Sequence, residues 1–97
     1  MIEIRVFSLK AGVSDADFLA ADVRVQTEFA PFQPGFVRRT TARGDEGDSW
    51  LVLTLWGSGG LAAAASEAMK ADPAGAVFDA MVDPATETVA LFHELGG

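Results

Sequence analysis

Residues 49–57 read SWLVLTLWG, and this stretch decides the fold of the 97-residue chain. Successive side chains of a β-strand point to opposite faces, so a strand with one face in water alternates apolar and polar residues. Here both sets of positions are largely apolar: Trp50, Val52, Thr54 and Trp56 on one side, and Leu51, Leu53 and Leu55 on the other. The pattern predicts a strand that is covered on both faces.

The segments around this strand predict the order β-α-β-β-α-β. The predicted strands are residues 1–9, 36–43, 50–56 and 86–95, and the predicted helices are residues 15–30 and 61–81. Ser14 is a suitable N-cap for the first helix, and Pro31 limits its length. Asp72 and Pro73 predict that a new helix begins within the second helical segment.

This order predicts an α+β domain with the ferredoxin-like fold over residues 1–97. Right-handed crossovers give a four-stranded antiparallel sheet with both helices on one face, and the strand at 50–56 beside the first strand at its centre. We find no internal repeat and no linker that would divide the chain into two domains.

The other face of such a sheet is bare in a monomer. Either set of side chains from the strand at 50–56 could lie there, and both are apolar. Burying four such side chains contributes roughly 6–12 kcal/mol before association costs. We therefore expect a homodimer that packs sheet against sheet.

The composition excludes several classes of protein. The formal net charge is -7, with 14 acidic and 7 basic residues, so binding to nucleic acid or to an anionic membrane is disfavoured. Absence of cysteine excludes disulfides and thiolate chemistry. The opening MIEIRVFSLK is neither a signal peptide nor a membrane span, and we expect a soluble cytoplasmic protein.

Four segments carry a resemblance to a known group of proteins. They are PGF at 34–36, SWLVLTLWGS at 49–58, the alanine-rich helix after it, and DPAGAVFDAMVD at 72–83. The chain resembles the dimeric α+β barrel superfamily, and within it the antibiotic-biosynthesis-monooxygenase-like (ABM-like) proteins. The resemblance implies a homodimer that binds a small aromatic or apolar molecule in a pocket between helices and sheet. If the protein is an enzyme, the resemblance implies that it oxidises this molecule. The alternative is a non-catalytic ligand-binding protein, or a stress-response or structural dimer.

This chain lacks residues on which the catalysis of the better-understood relatives depends. Haem-degrading relatives use an Asn on the first strand and a Trp and a His on the second helical region. This chain has no Asn, and residues 61–82 contain neither Trp nor His. We therefore expect no haem, no other cofactor and no metal. Cofactor-independent oxygenases of the superfamily use a combination of an Asn, a Trp and an Arg. This chain also lacks that combination.

Two ionisable residues are candidates for catalysis. Asp22 lies beside Phe29 on the apolar stripe of the first helix, where burial would raise its pKa. The alternatives are that its side chain turns to solvent or pairs with Arg38 or Arg39 of the neighbouring strand. His93 is the only histidine, the residue type most often used for proton transfer near neutral pH, and it could also be a core or interface residue. If Asp22 and His93 lie at the same pocket, their arrangement favours an enzyme over a non-catalytic protein.

Five apolar residues are candidates for binding a ligand. The run of alanines at 62–65 could leave space between helix and sheet. The side chains expected around that space are Phe18, Phe29, Trp56, Met69 and Phe78. Trp56 also matches a tryptophan common in the W-x-S stretch of ABM-like proteins, although a strand-end core residue fits the same position.

Overall fold

The computed structural model describes all residues from Met1 to Gly97. Its strands are β1 (Ile2–Ser8), β2 (Phe36–Arg43), β3 (Ser49–Trp56) and β4 (Thr88–Phe92). Its α-helices are α1 (Asp15–Arg24), α2 (Gly59–Ala71) and α3 (Pro73–Met81). No helix has the length and apolarity needed to cross a membrane.

The four strands form one sheet in the order β2-β3-β1-β4, and all neighbours are antiparallel. The central pair is β3 and β1, as the sequence predicts. The predicted α+β ferredoxin-like fold is confirmed. A hairpin joins β2 to β3, and it closes through Gly47, whose φ of 77° is unfavourable for other residues.

The helices cover the face of the sheet that carries the tryptophans of β3. The four alternate residues of β3 on that face are buried, at 5% exposure for Trp50, 3% for Val52, 4% for Thr54 and 6% for Trp56. The three leucines of β3 lie on the opposite face and are only half-buried. The structure thus shows which face of β3 meets the helices, a choice that the sequence does not determine.

The core lies between that tryptophan face and the helices. Phe7 of β1, Phe18 of α1 and Phe78 of α3 meet there with their rings 5.2–5.9 Å apart. Phe18 also packs on Trp50, with ring centroids 4.8 Å apart. Such aromatic pairs stabilise a core beyond the area they bury.

The predicted first helix changes its winding as it proceeds. Ser14 caps α1 by accepting a hydrogen bond from the Asp17 amide at 3.1 Å. After Arg24 the chain forms a π-helical turn (Val25–Phe29) and then a 3₁₀ turn (Ala30–Phe32) that contains Pro31. Phe32 is therefore 75% exposed and does not extend the apolar stripe of the first helix.

The second helical region divides at the predicted position. Ser58 caps α2 through the Leu61 amide at 3.2 Å, and Asp72 caps α3 through the amides of Ala74 and Gly75. Gly75 is buried against the backbone carbonyl of Met69. This close approach fixes the angle between α2 and α3.

The last strand is shorter than the predicted 86–95. Its start is delayed because the Thr86 amide and hydroxyl both donate to the Asp83 carbonyl, which forms a turn. It ends at Phe92 because Phe92 pairs with Ile2, the first residue of β1. His93 lies beyond the strand and is exposed, so it is not a core residue.

Candidate functional site

A small cavity lies between the helices and the sheet, at the end of β3 that carries Trp56. Its volume is about 30 Å³, and it is partly open to solvent. That is room for one or two water molecules. The sheet contributes Glu3, Arg39, Thr54 and Trp56 to its wall.

The floor of the cavity is a polar row that crosses three strands. Glu3 of β1 and Arg39 of β2 are both paired with Thr54 of β3, one on each side. Side chains opposite one another on neighbouring strands lie about 5 Å apart at Cβ. The row therefore presents a carboxylate, a hydroxyl and a guanidinium along a line of about 10 Å.

Arg39 is held by a buried network. Its Nη2 lies 2.7 Å from Asp22 Oδ1 of α1, and the two side chains are only 5% and 12% exposed. The Thr41 hydroxyl donates to the same Asp22 oxygen at 2.8 Å. The guanidinium also lies 5.6 Å from the centre of the Phe78 ring. A charge this deeply buried requires such a partner.

Glu3 has different surroundings. The Trp56 indole Nε1–H donates to Glu3 Oε1 at 3.2 Å, and Glu3 forms no ion pair. The Trp56 ring in turn meets the edge of Phe36, with centroids 5.9 Å apart. The carboxylate is thus oriented by an aromatic residue and is not neutralised by a cation.

Side chains of the helices, all apolar except Ser66, cover this polar floor. Val25, Phe29 and Ala30 come from the π turn and its end, and Ala65, Ser66 and Met69 come from α2. The π turn inserts an extra residue into the helical path, and such turns often occur at functional sites. The Met69 side chain is flexible and polarisable, so this wall can adapt to a ligand.

The structure brings three of the five predicted ligand-binding residues to the cavity. Phe29, Trp56 and Met69 line it. Phe18 and Phe78 do not reach it; both are 0% exposed in the closed aromatic core beside it. The sequence pattern cannot separate the two groups, because all five residues lie on the faces that helices and sheet turn toward each other.

The structure does not bring the two predicted catalytic residues together. Asp22 binds Arg39 and Thr41 of β2, whereas His93 follows β4 at the opposite edge of the sheet. Three strand spacings separate those edges, about 14 Å. Neither residue lines the cavity, and Asp22 takes the alternative role in which it pairs with Arg39.

Sequence reasoning missed the three residues of the polar floor. A signal was present for Glu3: Ile2, Ile4 and Val6 alternate along β1, which assigns Glu3 to the face of Phe7 beneath the helices. For Arg39 the missing fact was the register of β2. Phe36 pairs with Trp56 but Arg38 pairs with Leu55, so an irregularity between Phe36 and Arg38 determines which arginine turns inward.

Other features of the chain do not add a second site of this kind. A larger cleft of about 200 Å³, also partly open to solvent, lies at the far end of β3 and is lined by residues that include Lys10, Asp15, Asp48 and Trp50. No group of three or more potential ligand residues is arranged to hold a metal ion. The pKa of Lys70 is raised by its hydrogen bond to Glu67 and by the charge of Glu67, but this exposed pair does not line the cavity.

Solved structures share this architecture. SnoaB from Streptomyces nogalater, described as a cofactor-independent oxygenase, superposes with a TM-score of 0.75 over 99% of this chain and 93% of SnoaB, at 23% identity. The two chains therefore share one fold. The predicted resemblance is therefore confirmed for the fold.

Two further solved structures share this fold. A monooxygenase from the gene ActVA-Orf6 of Streptomyces coelicolor, in complex with nanaomycin D, gives a TM-score of 0.69 at 13% identity over 99% of this chain and 88% of that one. SO0527 from Shewanella oneidensis gives 0.66 at 18% identity over 96% and 88%. No protein-family model matches the sequence, and the comparison with curated proteins finds no match either.

Proposed function

We propose that this protein binds a small aromatic molecule in the cavity between helices and sheet. The observation that supports this most directly is the composition of the cavity wall. Phe29, Trp56 and Met69 offer aromatic and apolar surface, and the floor below them offers a carboxylate, a hydroxyl and a guanidinium. A mostly apolar pocket with a few convergent polar groups is the usual form of a small-molecule site.

A ligand must enlarge this cavity when it enters. The volume of about 30 Å³ is smaller than one aromatic ring requires. The wall includes one flexible side chain, Met69, which is partly buried, and the cavity is open on one side. Binding therefore proceeds by displacement of Met69 rather than by entry into a preformed hole.

We also propose that oxidation of the ligand by molecular oxygen is the reaction of the site. Support comes from the fold shared with SnoaB, described as a cofactor-independent oxygenase, and with the ActVA-Orf6 monooxygenase. In this scheme the electron-rich aromatic ligand itself supplies the electrons to oxygen, and no haem is required. The apolar cover would exclude water from the reacting ring.

The rival is a non-catalytic ligand carrier or structural dimer. One observation favours it: Asp22 already neutralises Arg39, so this cation is not free to stabilise a developing negative charge. Oxygen uptake separates the two. An oxygenase consumes oxygen when it is mixed with the phenols or quinols that it binds, whereas a carrier binds them without consuming oxygen above the uncatalysed rate.

The open face of the sheet supports a homodimer. Six apolar side chains of the two central strands lie side by side there: Ile2, Ile4 and Val6 opposite Leu55, Leu53 and Leu51. All six are half-buried in the single chain. A contiguous apolar patch of this kind is rare on a monomer, so we propose that a second copy covers it.

The acidic, cysteine-free composition is consistent with a protein of the cytoplasm.

Calorimetry with a set of phenols and quinols tests the binding proposal. Ala65 is buried and lines the cavity, while Ala64 next to it on α2 is exposed. Ala65→Met fills the space and should abolish binding, and the matched control Ala64→Met should bind as the parent does. Equal binding by both variants would place the ligand elsewhere.

A further inference from the structure

Six carboxylate side chains of this chain are not exposed, and five have a structural role. Asp22 pairs with Arg39, Asp79 and Glu87 pair with Arg5, Asp72 caps α3, and Asp83 accepts a hydrogen bond from the Ala85 amide. The sixth is Glu3, whose partner is the Trp56 indole N–H. A partly buried carboxylate without a cation is costly to keep and is a candidate for function.

None of the neighbouring cationic groups forms an ion pair with Glu3. Arg39, on the other side of Thr54, is neutralised by Asp22 at 2.7 Å. Arg5, the next residue of β1 on the same face, is bound to Glu87 at 2.5 Å and to Asp79 at 3.3 Å. The Met1 ammonium donates to the Trp56 carbonyl at 3.2 Å. The helices that cover the cavity contribute only uncharged side chains to it.

We propose that Glu3 determines the specificity of the cavity by accepting a hydrogen bond from a hydroxyl group of the aromatic ligand. This inference rests on the proposed function and deepens it. A ligand carboxylate would be repelled by Glu3, whereas a phenolic O–H provides the donor that this carboxylate lacks. Hydrogen bonds to charged acceptors are stronger than those between neutral groups, so phenols are favoured over ethers of the same ring.

Trp56 adapts Glu3 to this role. Its indole N–H occupies one carboxylate oxygen and fixes the orientation of the group, while its ring forms part of the wall beside the ligand. One residue thus aligns the aromatic surface and the acceptor. A ligand ring that packs on Trp56 brings its hydroxyl substituent close to Glu3.

Calorimetric titration with 1-naphthol and 1-methoxynaphthalene tests the proposal, since the two share a ring system and differ in the donor. We expect the parent to bind 1-naphthol about tenfold more tightly than the ether. Glu3→Gln replaces the charged acceptor by a neutral amide oxygen and should lower that ratio severalfold, mainly by weakening naphthol binding. Glu46→Gln, an exposed change in the hairpin, is the matched control and should keep the parent ratio.

The outcomes separate the two proposals. If the parent binds both compounds equally, or if Glu3→Gln keeps the tenfold preference, Glu3 does not select the ligand, although the cavity still binds aromatic molecules. If the parent binds neither compound, the proposed function fails and this inference fails with it. A parent ratio near one overturns this inference even where Glu3→Gln does not fold.

Discussion

Arg39 of β2 and Asp22 of α1 form an ion pair at 2.7 Å with both side chains nearly buried. The pair joins the first helix to the edge of the sheet, and Arg39 continues from it into the wall of the cavity. The acid on the apolar stripe of the first helix is thus the partner of a buried cation. Its role is to hold Arg39 in place.

Removing Asp22 should be strongly destabilising. Asp22→Ala leaves the Arg39 guanidinium buried without a counter-ion, and we expect the free energy of unfolding to fall by about 3–5 kcal/mol. Asp15→Ala is the control, because Asp15 pairs with Arg43 at an exposed site and should cost less than about 1 kcal/mol. Urea unfolding measures both. Equal losses would show that the Asp22–Arg39 pair is not a special support of the fold.

The contact of Gly75 with Met69 predicts a second difference in stability. A Cβ at position 75 would overlap the Met69 backbone carbonyl, so Gly75→Ala must push α2 and α3 apart. We expect a loss of about 1–3 kcal/mol. Gly60→Ala, at the start of α2 where the nearest atom is 3.9 Å away, should be neutral or slightly stabilising. Thermal unfolding of the two variants checks this, and a harmless Gly75→Ala would contradict the helix packing.

The two faces of β3 predict opposite effects of a charge. Val52 is 3% exposed beneath the helices, so Val52→Asp should prevent folding. Leu53 lies on the open face beside Ile4, so Leu53→Asp should leave each subunit folded and dissociate the dimer. Circular dichroism and sedimentation velocity separate the two effects. A parent protein that sediments only as a 10.2 kDa monomer would contradict the proposed dimer.

The sequence predicts this fold well because the fold depends on local patterns. Apolar alternation, the caps at Ser14 and Asp72, and the turn at 44–48 each act over a few residues, and together they determine the order of the elements. The limits of the last strand were less predictable. They depend on where β1 begins and on the turn around Asp83, neither of which appears in the pattern of residues 86–95.

The site was predicted only in part, because it depends on register. Helical and strand periodicity assign Phe29, Trp56 and Met69 to the layer between helices and sheet, but they assign Phe18 and Phe78 to the same layer, and only the structure shows which of the five line the cavity. The alignment of Glu3, Thr54 and Arg39 requires two strand pairings and the irregularity at the start of β2. Asp22 and His93 are both candidates because they are ionisable residues in apolar patterns. Only the strand order shows that they belong to opposite edges of the sheet.

The central claim is that an aromatic ligand occupies the cavity above Glu3, Thr54 and Arg39. Titration of ¹⁵N-labelled protein with 1-naphthol, followed by amide and indole resonances, tests it most directly. The account predicts saturable shifts that are largest at Val25, Ala30, Ser66, Met69 and the Trp56 indole N–H. Shifts centred instead on Lys10, Val13 and Asp48, at the cleft at the far end of β3, or no saturable shifts at all, would contradict it.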